Sequence, residues 1–330
     1  MTRSTPTRGS VLRAGALVSA GSLGVQSSAV LASGMFASLG VLSVSGLRLL
    51  IAAVVVLALF RPSLRGRDGR AWAAIIGYGV AMAAMNACLY SAIDRIPLGI
   101  ATTLDFLGPC VVALLGSRHA KEALCALVAF GGVALVSWGP GGGFDALGYG
   151  FALAAGCFFG LYTVMASVVG KAATGLGDLA LSVTVAAVLT LPFSIPSLPQ
   201  VSAQGWLVLA ASAVLGVAFS FTMDTLAGRV ADARVVGTWF AADPVFASLL
   251  GWLLLGQALS LSTVLGILAV VAAGATLVWI AGKRPVPEDA SWFVDPPESE
   301  QSQQQSPVEP ELPEQQSPPE EDQPPQAPRP

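Results

Sequence analysis

Three ionisable side chains stand inside long apolar stretches of this 330-residue chain: Arg48, Asp105 and Asp243. An ionisable group at membrane depth is costly, so its presence there calls for a chemical reason. Pro109 follows Asp105 by four residues. Proline lacks an N–H and clashes with the carbonyl four residues back, which here is the carbonyl of Asp105 itself. This spacing puts a carboxylate and a freed backbone acceptor at one level, a pair able to hold an ammonium group. The carboxylate can also take up a proton, and competition between proton and solute at Asp105 would be a simple antiport mechanism. The competing reading makes Asp105 a structural partner of Arg48 or of polar groups nearby.

Asp243 precedes Pro244, the second helix-breaking proline, and either takes part directly or marks a kink. Trp239, one turn earlier on the same face, either stacks over a cation or simply packs. Arg48 lies within the second apolar run, towards its outer half. It can snorkel to water, or pair with a substrate carboxylate or an acid. Neutral polar groups accompany these three. Asn86 and Tyr90 are four residues apart on one face, Thr102 and Thr103 precede Asp105, and Tyr162 lies further along. Singly, such groups tie helices together; as a set around an acid they can line a path for a polar solute.

The elements that carry these residues follow from composition. The chain is 54% hydrophobic and 11% charged, where a soluble domain carries about 25% charged residues. Its mean hydropathy is +0.70. A spanning helix needs about 20 mostly apolar residues. Ten such runs are expected: Ala14–Phe36, Val41–Phe60, Ala71–Ile93, Leu98–Ser117, Ala123–Trp138, Leu147–Val169, Leu179–Ile195, Gly205–Met223, Val235–Gly256 and Leu261–Gly282. The breaks between them, such as RPSLRGRDGR, GPGGG and IPSLPQ, are turn-rich. Arg3, Arg8 and Arg13 ahead of the first run resemble a signal peptide. The run is long for a leader, and the repeat described below needs it, so it is read as a span.

Charge divides the chain. Residues 1–284 hold 16 Lys/Arg and 9 Asp/Glu, a balance of +7, whereas residues 285–330 hold one Arg and 11 acids, a balance of −10. The acidic, Pro- and Gln-rich segment from residue 283 onward cannot bury enough apolar surface to offset its ordering entropy and reads as a disordered tail. Across ten spans, one side of the membrane receives 14 Lys/Arg and the other only Arg95. Cytoplasmic connections collect the positive charge, so both termini are expected in the cytoplasm, with the protein in the cell membrane.

The chain also repeats itself at an offset of 135 residues: Pro109 matches Pro244, Leu114-Leu115-Gly116 matches Leu249-Leu250-Gly251, Gly131 matches Gly266, and Ala20-Gly21 matches Ala155-Gly156. Residues 14–138 and 147–282 thus read as two five-helix repeats. An odd number of spans per repeat makes the second enter from the opposite side, the inverted arrangement of secondary transporters. The expected fold is all-α and membrane-integral: ten helices in two inverted halves, after a short cytoplasmic N-terminus (1–13) and before the tail.

These features resemble the EamA-type drug/metabolite transporters, in the ten helices, the two halves and the proline in each fourth helix. PLGIATTLDFLGPCVVALLGSRH (97–119), LRLLIAA (47–53) and ADPVFASLLGWLLLGQ (242–257) resemble more narrowly the threonine/homoserine exporter branch. The resemblance spans residues 12–282. It implies export of small amino acids or related metabolites, driven by the proton motive force. Two departures stand out: Asp105 where that branch has Glu, and Gln257 where an acid is common.

The expected partners are a small-molecule solute, protons and the lipid bilayer; a homodimer is compatible with the sequence, and no nucleic-acid partner is expected. No cofactor or metal is expected either. The one histidine, His119, builds no metal site or catalytic triad alone, the cysteines (Cys88, Cys110, Cys125, Cys157) are scattered in apolar runs, and no phosphate-binding loop appears. The competing functions are efflux of hydrophobic or cationic compounds and, in a different class, a membrane sensor or scaffold.

Overall fold

The computed structural model describes residues 8–115, 120–137, 145–171, 175–220 and 239–281, together with residues 223, 226, 227 and 230. The acidic tail, His119 and the GPGGG turn lie outside them. Every regular element among the described residues is helical. Lipid offers the backbone no hydrogen bonds, so a chain of this hydropathy has to satisfy its N–H and C=O groups within each segment.

The order is α1 (Arg8–Ser33), α2 (Phe36–Leu39), α3 (Val41–Phe60), α4 (Gly69–Ile93), α5 (Leu98–Leu115), α6 (Ala120–Ser137), α7 (Ala146–Lys171), α8 (Gly175–Ser194), a 3₁₀ turn (Ile195–Gln200), α9 (Ala203–Ala213) running into a π-helical turn (Val214–Phe219), α10 (Asp243–Leu255) and α11 (Leu261–Ala281). Five of these are long and apolar enough to cross a membrane: α1, α3, α4, α7 and α8 with its 3₁₀ extension. The remaining apolar helices, α5, α6, α9 with its π turn, α10 and α11, are shorter among the described residues. Large apolar side chains such as Val54, Leu59, Phe130, Leu207, Leu253 and Leu261 are exposed on the helix surfaces, where a membrane protein meets lipid rather than water.

Local chemistry sets the ends. Asp68 caps α4 by accepting from Ala71 N at 2.8 Å, and Ser202 caps α9 by accepting from Gly205 N at 3.0 Å. α3 stops at Arg61, which adopts φ +42°, one residue before Pro62. The ninth expected span is corrected. It is not one continuous helix: a turn at 241–242 interrupts it, and α10 starts afresh at Asp243. Pro244 sits in the first turn of α10, where a missing N–H costs nothing, whereas Pro109 lies inside α5.

Helices pack in pairs: α4 on α7, α3 on α8, α6 on α11, α5 on both α7 and α10, and α1 on α9, the π turn and α10. Glycines set the closest crossings. A Cβ on Gly156 of α7 would lie 2.9 Å from the Leu104 carbonyl oxygen and 3.1 Å from that of Asp105, and one on Gly108 of α5 would run into the Gly156 carbonyl. Where α6 meets α11, Gly132 faces Gly266, while Gly131, its match in the 135-residue register, has open space around it. One end of the α3–α8 pair is tied by hydroxyls: Ser43 donates to Phe193 O at 2.8 Å, and Ser197 donates to Leu39 O at 3.1 Å and to Ser43 Oγ at 2.9 Å.

Candidate functional site

α5 and α10 bring two acids together. The helices run antiparallel, with Gly99 against Ser248 near one end. Moving six residues along α5 and five back along α10 reaches Asp105 and Asp243, which lie within electrostatic range of each other. The 135-residue register pairs Asp243 with Gly108 instead, so their proximity belongs to the packing rather than to the repeat. Asp105 is 7% exposed. Asp105 Oδ1 is buried without a hydrogen-bond partner, while the Ser22 hydroxyl of α1 stands beside the Asp243 carboxylate, placed to donate to it. Buried polar atoms are nearly always partnered, so the unpartnered Asp105 oxygen beside a second acid marks a place able to receive a donor.

The Asp105 carbonyl oxygen lies beside Gly156 of α7, at the close crossing of α5 and α7. Arg48 does not pair with Asp105. Arg48 is 7% exposed, so it does not snorkel, and it donates through Nη2 to Ser28 Oγ on α1. Its guanidinium carbon sits 4.8 Å from the centre of the Tyr90 ring, which itself meets Phe36 edge-on at 5.7 Å. Among the described residues no carboxylate forms an ion pair with Arg48. The structure therefore holds two separate polar centres: an acidic one at α1/α5/α10 and a cationic one at α1/α3/α4 and the π turn.

The other expected site residues divide between these centres and the packing. Tyr90 belongs to the cationic centre. Asn86, one turn away on α4, donates to Met82 O of its own helix at 3.0 Å. Thr102 donates back to Leu98 O at 2.9 Å and Gly99 O at 3.2 Å; with its proton so engaged, it can only accept from a ligand. Tyr162 lies tilted against Tyr78, with ring centres 4.8 Å apart, and near Phe159 at 5.8 Å, in the cluster that joins α3, α4 and α8. Trp239 lies against Gly15 of α1, with no room for a Cβ there, and packs on Val18 and Ala227. Its place is a packing contact between α1 and the segment leading to α10.

Three groups at these centres carried no sequence signal. Ser22, Ser28 and Gly216 are small residues of a kind common throughout apolar helices. Gln257 stands where an acid was expected, and its Oε1 accepts from Leu98 N at 3.0 Å, closing the start of α5.

Comparison with known proteins agrees with this architecture. Residues 146–279 match the model of the EamA-like transporter family. The threonine/homoserine exporter RhtA of Escherichia coli (strain K12) is 29% identical over 260 residues, covering 77% of this chain and 88% of the relative. The protein of the same name from Salmonella typhimurium (strain LT2) gives the same figures. A solved structure described only as "Crystal structure of protein" shares the fold, with a TM-score of 0.54 at 19% identity over 84% of this chain and 99% of that one. Apolar helices, polar groups buried among them and this match lead to one conclusion: the chain is a multi-pass membrane protein whose residues 146–279 match the EamA-like transporter family.

Proposed function

We propose that this chain is a secondary transporter of the cell membrane that exports small amino acids or related metabolites in exchange for protons, with Asp105 and Asp243 as the acids that carry the proton. The name of the relatives, threonine/homoserine exporter, supports the substrate class and the direction. The observation that carries the mechanism is the Asp105–Asp243 junction. A buried Asp105 carboxylate with an unpartnered oxygen, in the field of Asp243, favours taking up one positive charge, and a proton is the smallest such charge.

The pattern of helix contacts supports two inverted halves. Taken in five-helix register, α3–α8, α5–α10 and α6–α11 each join equivalent helices. The pair α4–α7 has its counterpart in α1–α9, and α5–α7 in α1–α10. A pseudo-two-fold axis predicts this list, and inverted halves that exchange shapes give alternating access. The loop-charge count supports cytoplasmic termini.

The separation of Arg48 from the acids favours one second reading. A cation without a carboxylate could be held at the acid pair alone, which is efflux of a cationic compound. The test is a flux screen of amino acids and cationic dyes in proteoliposomes with an imposed pH gradient. The expected result is gradient-driven flux of one or more small amino acids, lost in Asp105→Asn while insertion and expression persist. Unchanged pH-dependent flux in that variant overturns the role of Asp105, and flux confined to dyes selects the second reading.

A further inference from the structure

Among the described residues, Arg48 is a buried cation without a counter-charge. The ion pairs among the described residues are Arg67–Asp178 and Arg95–Asp145, and neither involves it. One nitrogen donates to Ser28 Oγ, the Tyr90 ring lies under the guanidinium carbon at 4.8 Å, and Nε is buried with no partner. The fourth wall is Gly216, in the middle of the π-helical turn. A Cβ there would lie 2.8 Å from Arg48 Nη2 and would collide with Ser28 Oγ. π-helical turns concentrate at functional sites, and this one presents its glycine to the guanidinium.

An unpaired buried guanidinium is costly unless something completes it. Its planar fork matches a carboxylate through two parallel N–H donors. We propose that Arg48, Ser28, Tyr90 and Gly216 form the site that takes the carboxylate of the transported solute; this rests on the transporter reading above. The ligand chemistry is that of a small oxyanion, and the solute's own carboxylate is its source.

Geometry divides the labour between the two centres. Ser28, at the Arg48 centre, follows Ser22, at the acid pair, by six residues on α1. Six residues of helix rise about 9 Å and turn the side chain by roughly 120°. The ammonium and carboxylate of an α-amino acid hang on one carbon, whereas the α1 residues that mark the two centres stand more than one helical turn apart and on different faces. The acid pair is thus left to the proton, and the carboxylate is read at Arg48.

The test is thermal stabilisation of the purified full-length protein by amino acids, each compared with its own amide, and by sulfate. The expected result is that the wild type prefers at least one acid over its amide by about tenfold or more in the concentration needed. That ratio falls close to one in Arg48→Gln and stays intermediate in Arg48→Lys, which keeps the charge but not the fork. Ser28→Ala lowers the ratio more gently and serves as the readout if Arg48→Gln does not fold. A structural role for Arg48 would lower acid and amide alike and leave their ratio unchanged, which overturns the proposal. So does equal stabilisation by acids and amides in the wild type, or stabilisation by sulfate with no acid–amide difference. An intact acid–amide difference without flux under any gradient overturns the transporter reading alone.

Discussion

Arg67 reaches across 111 residues of sequence to Asp178 and closes an ion pair of 2.7 Å with both side chains almost wholly buried. Arg67 belongs to the connection between α3 and α4, and Asp178 to the first turn of α8, where Pro62 also packs on Gly177. The pair locks one end of the α3–α8 contact, while the Ser43, Ser194 and Ser197 hydroxyls lock the other. Breaking one partner of a buried pair leaves an uncompensated charge, at a cost of about 3–5 kcal/mol, whereas replacing both by apolar groups is often close to neutral. Asp178→Asn should therefore lower the melting temperature of the detergent-purified protein markedly. Arg67→Met combined with Asp178→Leu should recover most of the loss, a double-mutant cycle that calorimetry can read.

The two neighbouring glycines of α6 separate packing from helix propensity. Gly132→Ala puts a Cβ 2.7 Å from the Gly266 carbonyl oxygen, and Gly131→Ala puts one into open space. The first should destabilise by about 1–3 kcal/mol through overpacking. The second should be neutral, or stabilising by up to about 1 kcal/mol from helix propensity alone. Thermal melts of the two variants side by side check this.

Gln257 acts through its oxygen, since Oε1 accepts from the first N–H of α5. Gln257→Ala leaves that N–H unsatisfied and should cost about 1 kcal/mol. Gln257→Glu keeps an acceptor at the positive end of a helix and should match or exceed the parent. A glutamate at this position and the glutamine found here can thus do the same structural work. Melting temperatures of the two variants decide the point, and equal losses in both would refute it.

Asp145 gives a pH dependence that can be read outside the membrane. It caps α7, accepting from Gly148 N at 3.0 Å, and faces Arg95 at 3.3 Å. The Gly148 N–H first, and Arg95 after it, hold its carboxyl below the usual carboxylate range. A depressed carboxyl stabilises the fold above its unfolded value of about 3.9, and that contribution disappears as the pH falls through the lower folded value. Asp145→Asn, which still caps, should show a small deficit against wild type at neutral pH. The deficit should close below about pH 4 and shrink with added salt. Melting curves of both proteins across that range measure it.

Composition alone makes a prediction for the acidic segment. Deleting residues 287–330, which hold eleven acids and one cation, Arg329, should leave transport in proteoliposomes unaltered. A strong loss of flux would assign the segment a role beyond solubility.

Much of this protein is legible in its sequence because lipid imposes a simple rule. A chain so apolar has to form helices, and Arg48, Asp105 and Asp243 stand out because charge is expensive in that setting. Turn chemistry located many helix ends: α3 occupies the same residues as its expected span, and α11 ends within one residue of its own. The exception was the ninth span, where a proline in an apolar run reads equally as a kink or as the first turn of a new helix. What the sequence could not contain is which faces meet. Neither periodicity nor the 135-residue register brings Asp105 to Asp243, takes Arg48 away from both, or sets Gly216 beside the guanidinium. Those relations depend on crossing angles and rotations of packed helices, which arise from many small contacts between residues distant in the chain. The identity of the buried charges was therefore a property of the sequence, and their division into an acidic and a cationic centre was decided only by the tertiary structure.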